Sequence, residues 1–347
     1  MTFFLTVSFF RFSTKKPVYF STDQVTGKVV RGLSRIPSPE KSNRPLVVVG
    51  NHQLFGLDMW MMVPHLYQER CIPLRGLAHP VVFDYESIDD DIDGRSLHSG
   101  SITMNSAVKD TYRIFRAFGA LPATPASFYK LLETNQCILH YPGGAREAYH
   151  SVGEDYLLFW PGDDKAEERC IDGIASSSND FVRMAARFNA TIVPLSAIGA
   201  DGSVQFSLSG NAHEYEQVLS VFRRFLPKLS EVLQSIIDSP LTARGGKEDK
   251  SGPRPPPLVL PKLLPARHYF LFGRPYNTEH LDHNNRQECA RVYGLIRLRV
   301  ERGIEQLRRA SKKDPFLDSF KRIIFELTCR KKAPTFSVYE FDELTKS

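Results

Sequence analysis

Short β-branched runs alternate with helical stretches along this chain, and that alternation constrains the fold more than any other feature. Pro45-Leu-Val-Val-Val-Gly50, Gln136-Cys-Ile-Leu-His-Tyr141 and Thr191-Ile-Val-Pro-Leu195 are short apolar runs with the length of buried strands. Ile72–Phe83 and Tyr269–Phe272 read as two more strands. Between and after them, Asp58–Val63, Ser101–Phe118, Ser127–Glu133, Asp180–Arg187 and Glu288–Arg309 carry helical spacing. This pattern predicts an α/β fold with a mostly parallel central sheet flanked by helices. In such sheets ligands bind beyond the carboxyl ends of the strands. Two chemistry-bearing segments lie there, Asn51-His52 after one run and Pro142-Gly143-Gly144 after another.

The expected organisation is an apolar N-terminal segment (1–15), one domain (16–330) with a flexible Pro/Gly-rich insertion at about 241–262, and a C-terminal tail (331–347). Net charge is +6, which favours anionic surfaces or substrates without demanding nucleic acid. No zinc-finger spacing, RNA-binding aromatic signature or long basic arm is present, so nucleic acid is not expected as a partner. The five cysteines are scattered, with no Cys-x-x-Cys pair, which fits a reducing compartment. Asp89–Asp91 and Asp163-Asp164 read as solvated loop acids, so no metal is expected. Met1–Phe10 is too short to span a bilayer and reads either as a surface anchor or as a first strand. Residues 215–238 carry an apolar stripe that suits a core-packing helix or a membrane-surface helix.

His52, five residues, then Asp58 offers a base with a carboxylate near it. A histidine can take the proton of an alcohol as it attacks an activated acyl carbonyl, and a carboxylate on the other ring nitrogen can fix its tautomer. On one ideal helix a six-residue step turns about 600°, which would point the two side chains apart. The segment between them must therefore break, and Gly56 tolerates the necessary backbone angles. Downstream, Pro142-Gly143-Gly144 can present bare amides to an oxyanion, and Arg146 adds a cation suited to phosphate. Each block alone is also an ordinary strand-to-helix connection; their occurrence together, in this order, is the stronger signal. Gly-x-Ser-x-Gly, Walker and Gly-x-Gly-x-x-Gly patterns are absent.

These residues resemble a known family. Val49-Gly-Asn-His-x5-Asp58, Arg75-Gly-Leu-Ala-His-Pro80, Tyr141-Pro-Gly-Gly-Ala-Arg-Glu-Ala148 and Phe181-Val-Arg-Met-Ala-Ala-Arg187 are similar to the acyltransferase half of plant phytyl ester synthase and diacylglycerol acyltransferase-like proteins. That group falls within the lysophospholipid acyltransferase superfamily. The pattern continues through Tyr269-Phe-Leu-Phe-Gly-Arg-Pro275 and Lys313-Asp-Pro315. His52/Asp58 matches the longer variant of the superfamily's His-x4-Asp motif, and Tyr-Pro-Gly-Gly-Ala-Arg stands where Phe-Pro-Glu-Gly-Thr-Arg is usual.

The resemblance implies His52 as catalytic base and Asp58 as its partner. It implies Asn51, Gly143, Gly144, Arg146 and Glu147 as substrate- or donor-binding residues. It implies acyl-CoA or acyl carrier protein as co-substrate, with no further cofactor. The arginine of the superfamily's second motif has no counterpart near Gly119-Ala-Leu-Pro-Ala123, which suits a neutral alcohol such as diacylglycerol or phytol. The plant proteins also carry an N-terminal α/β-hydrolase-like half, which this sequence does not include. Contact with a membrane or lipid-droplet surface follows as an expectation, in a plastid (plastoglobule or thylakoid) or, alternatively, at the endoplasmic reticulum. A lipid-ester or thioester hydrolase and a non-catalytic lipid-binding module are the other readings of the same residues.

Overall fold

The computed structural model describes residues 17–78, 117, 119–161, 180–208, 216–217, 220, 223 and 257–344. The chain enters through β1 (Val18–Thr22) and β2 (Val29–Arg31), passes a short α1 (Pro39–Ser42) and forms β3 (Leu46–Gly50). Next come α2 (Met59–Arg70), β4 (Leu74–Ala78), β5 (Leu121–Pro122), α3 (Pro125–Glu133) and β6 (Cys137–His140). α4 (Gly144–Ala148), α5 (Asp180–Arg187) and β7 (Thr191–Ile198) follow. β8 (Val204–Leu208), β9 (Leu258–Pro261), β10 (Tyr269–Phe272) and β11 (Tyr276–Asn277) lead into α6 (Arg286–Ser311), α7 (Ser319–Cys329) and α8 (Tyr339–Leu344).

Nine of these strands make one sheet, in the order β2-β1-β10-β7-β3-β6-β4-β5 with β11 also on β7. β7, β3, β6, β4 and β5 run parallel, while β10 is antiparallel to β7 and parallel to β1. The mostly parallel sheet expected from the sequence is therefore the framework. Successive residues of β3 alternate between its faces. Val47 and Val49 pack in the cluster with α3, α5 and α6, and Leu46 and Val48 pack in the cluster with α2. Burial of one such side chain is worth about 1.5–3 kcal/mol, and all four are buried.

α6 is the long helix of one face. Val292, Ile296, Val300, Ile304 and Leu307 recur at three- and four-residue steps and are buried. Asn285 caps its start by accepting from the Glu288 amide. Gly303 lets the helix approach β7, where the Ser196 hydroxyl donates to the Val300 carbonyl at 2.8 Å. Among the described residues no helix is long and apolar enough to cross a membrane.

Two expectations change. The end of the insertion predicted at 241–262 is strand β9, paired antiparallel with β8 as a separate two-stranded sheet. Its short run, Leu258-Val-Leu260, was masked by the prolines before it. The segment 331–347 is no loose tail as far as it is described. Ala333, Phe336 and Phe341 are buried, and Phe336 and Phe341 meet Phe20 at ring distances of 5.1 and 4.9 Å. The Arg267 guanidinium donates to the Ala333 and Pro334 carbonyls and pairs with buried Asp314. Widely spaced aromatics among charges give no periodic signal, so this packing was invisible beforehand. The N-terminal segment, the helix at 101–116, His79, the acidic loops, most of the 215–238 stripe and residues 241–256 lie outside the described residues.

Candidate active site

Register explains why the two motifs meet. Val49 of β3 sits opposite His140 of β6, and the strands are parallel. The residues that follow each strand therefore leave the sheet side by side at its carboxyl edge. After β3 the chain turns rather than continuing as a helix. Leu54–Gly56 make a single 3-10 turn with left-handed Phe55 (φ 52°) and Gly56 (φ 67°). Gly56 supplies the freedom expected of it; Phe55 shares the conformation, at a cost of about 1–2 kcal/mol. The break lets α2 begin afresh at Met59, with Asp58 in its N-cap position.

His52 and Asp58 share one site without bonding to each other, and Tyr141 stands between them. Asp58 is 0% exposed, and its Oδ2 accepts from the Tyr141 hydroxyl at 2.5 Å. Its Oδ1 is buried with no hydrogen-bond partner. The Tyr141 ring lies against the His52 ring, with centroids 4.4 Å apart. Burial pushes the Asp58 carboxyl up to about 7, against the pull of the Tyr141 hydrogen bond. The same hydrogen bond adds to burial in raising the Tyr141 phenol well above its ordinary value.

His52 Nδ1 lies 3.0 Å from the carbonyl oxygen of Gln53. A carbonyl only accepts, so Nδ1 carries the proton and Nε2 keeps the lone pair. The backbone thus fixes the tautomer, a task the sequence reading gave to a carboxylate. Burial pushes the imidazole down to about 4, with the nearby His150 adding to the effect. The residue as a whole is half-buried. Its neutral form holds at pH 7.

Three further residues hold this loop, and a fourth, His150, lies beside them. Asn51 gives its amide to the Ala197 carbonyl and takes the Ala197 N–H, both at 2.9 Å. Gln53 also donates to the Ala197 carbonyl, and accepts from Ala200. Both tie the loop to the end of β7, so Asn51 spends one N–H and one oxygen lone pair on holding the loop. Glu147 is buried and bridges the two motifs. Its Oε2 accepts from the His52 amide at 2.7 Å, and its Oε1 accepts from the Phe159 amide at 2.8 Å. Burial raises the Glu147 carboxyl to about 7 despite these bonds. His150, also buried, faces Asp201 across 2.6 Å. Burial opposes charge on His150, but the Asp201 hydrogen bond and charge outweigh it and lift its pKa.

The glycine turn is less bare than the sequence implied. The Gly144 N–H donates to the Tyr141 carbonyl at 3.1 Å, whereas the Gly143 N–H has no partner among the described residues. Arg146 departs further from expectation. Its fork is filled by Glu154, at 2.8 and 2.6 Å, and its guanidinium lies 3.7 Å over the Phe159 ring. Glu154 takes two of the five Arg146 N–H donors and balances its charge, which weakens its pull on an anion. Tyr141 had a visible signal, a hydroxyl where the superfamily motif has Phe. His150–Asp201 had none, being 51 positions apart.

An apolar cleft opens beside Asp58, lined by Met59, Trp60, Val63, Leu74, Gly76 and Ala120.

No protein-family model matches the chain. Over 316 residues, 90% of its length, it is 30% identical to phytyl ester synthase 1, chloroplastic, of Arabidopsis thaliana, of which it covers 38%. Over 328 residues, 93% of its length, it is 30% identical to phytyl ester synthase 2, chloroplastic, of the same plant, of which it covers 40%. The crystal structure of the 1-acyl-sn-glycerophosphate acyltransferase PlsC from Thermotoga maritima aligns with 80% of this chain and 70% of its own, with a TM-score of 0.37 and 11% identity. The chain thus spans about two fifths of the length of the curated relatives it matches. Nearly all of this sequence resembles a stretch of chloroplastic phytyl ester synthases, as its motifs led one to expect.

Proposed function

We propose that this chain is an O-acyltransferase that moves a fatty acyl group from a thioester, acyl-CoA or acyl carrier protein, to a neutral lipid alcohol such as phytol or diacylglycerol. One observation carries the reading. His52, with its lone pair on Nε2, is tied through its own amide to Glu147 in the turn that bears Gly143. Nε2 takes the proton of the alcohol as its oxygen attacks the thioester carbonyl. The Gly143 N–H is the donor available for the developing oxyanion. When the C–S bond breaks, the proton returns from Nε2 to the departing thiolate. Tyr141 and Asp58 hold the face of the imidazole, and Glu147 holds its backbone.

The likeness to chloroplastic phytyl ester synthases supports phytol as acceptor and a plastid as location, where a plastoglobule or thylakoid surface is the proposed seat. The endoplasmic reticulum is the alternative compartment. Water-insoluble substrates require contact with a membrane or lipid droplet. The test is purified protein with labelled acyl-CoA and acyl carrier protein, offered phytol, diacylglycerol and lysophospholipid. Ester of a neutral alcohol is expected, and it should vanish in His52→Ala with the fold intact. Full activity in that variant, or free fatty acid alone in the presence of alcohol, would end the reading.

A further inference from the structure

α7 turns its apolar side the wrong way for a core helix. Phe320, Ile324 and Leu327 follow at four- and three-residue steps, so they share one face. That face points outward: Phe320 is 60% and Leu327 70% exposed. The opposite side anchors the helix through buried Arg322, which donates to the Pro265 carbonyl at 2.6 Å, as does the Ser319 hydroxyl at 2.8 Å. Just before Pro265 come Leu263, 77% exposed, and Leu264, also exposed. Two neighbouring segments of one surface thus present large apolar side chains to solvent, which costs free energy without a partner.

Charge and position say what that partner is. Lys262, Lys312, Arg330 and Lys331 are exposed with no salt bridge among the described residues, and exposed Lys321 lies near Asp318. The two acids there, Asp318 and Glu326, keep their charge while accepting from the Lys321 and Ala333 amides, and the cations outnumber them. A rim of cations around an outward aromatic and aliphatic stripe complements an anionic lipid interface. The surface also sits at the right edge of the sheet. Tyr269 of β10 pairs with Ile198, at the carboxyl end of β7, and the residues before Tyr269 continue past that end. His268 bonds there to Ser203. This is the edge from which His52 and Gly143 emerge.

We infer that α7 and the Leu263-Leu264 segment form an interfacial docking surface that seats the protein on anionic lipid with the carboxyl edge of its sheet toward the membrane. The inference rests on the lipid-substrate reading for its choice of partner. Its test reads binding alone, so failure of docking and failure of acyl transfer are seen separately. Full-length protein is floated with vesicles of phosphatidylcholine and of phosphatidylcholine with phosphatidylglycerol. Binding to the anionic vesicles that weakens with salt is expected. Phe320→Ser/Ile324→Ser/Leu327→Ser should lower the partition about tenfold or more with an unchanged thermal midpoint, because only solvent-facing groups are altered. Lys321→Glu/Lys331→Glu should reduce both the affinity and its salt dependence by several-fold. Unchanged partition of both variants overturns the proposal. So does a wild-type dimer in sedimentation velocity that the serine variant converts to monomer, since the stripe would then belong to a second copy.

Discussion

Gly143→Ala and Gly144→Ala separate the two glycines that look equivalent in the motif. A Cβ on Gly143 would overlap the Glu147 carboxyl, whereas a Cβ on Gly144 meets nothing within 4 Å. Gly144 is instead left-handed, at φ +50°. Alanine at 144 therefore costs only the backbone term, about 1–2 kcal/mol. Alanine at 143 expels the Glu147 side chain and with it the bonds to the His52 and Phe159 amides. Each hydrogen bond to a charged acceptor is worth about 1.5–3 kcal/mol, so the expected loss from the two is about 3–6 kcal/mol. Urea denaturation measures both. Gly143→Ala should also cut kcat by about 100-fold, because the His52 backbone loses its anchor, while Gly144→Ala keeps kcat within a few-fold. The decisive arm is the double variant Gly143→Ala/Glu147→Ala. With the obstructing carboxyl gone, it should be no less stable than Glu147→Ala alone. Costs that simply add would refute the steric argument.

Asp58→Asn should flatten the pH dependence of stability. The folded carboxyl titrates near 7 and an unfolded one near 4, so the native state binds the extra proton and loses stability as pH rises between those values, by on the order of 4 kcal/mol. The variant should lose less thermal stability than wild type between pH 5 and pH 8; parallel profiles would count against a buried, raised carboxyl. Phe341→Ala should destabilise by about 3–5 kcal/mol in denaturant, since the ring is buried against Phe20 and Phe336; a loss under 1 kcal/mol would return residues 331–344 to the status of a tail. Gly303→Val should cost several kcal/mol by driving α6 off Ser196, whereas Gly294→Ala, with open space around it, should be neutral or slightly stabilising in a thermal melt.

The parallel sheet was legible because β3, β6 and β7 are nearly pure apolar runs whose ends coincide with turn residues. The break between His52 and Asp58 was legible from helix geometry alone. What the sequence could not convey is which polar groups use each other up. Arg146 reads as a free cation, and only the structure shows Glu154, eight positions on, paired with it. Asn51 reads as a ligand-binding amide, and only strand order shows that it also clasps Ala197, 146 positions away. The tautomer of His52 depends on a neighbouring carbonyl, a group every residue has, so no residue type announces it. The burial of Phe336 and Phe341 failed to register for a related reason: two aromatics among polar residues have no period.

The bond between the His52 amide and Glu147 joins residues 95 positions apart, from strands that touch only in the assembled sheet. No local fragment can hold it in advance. A chain leaving the ribosome stays chemically silent until β6 has been synthesised and has docked on β3, however much helix it has formed by then. Recovery of turnover during refolding would accordingly wait on that long-range contact, and circular dichroism, which reads helix, would run ahead of it.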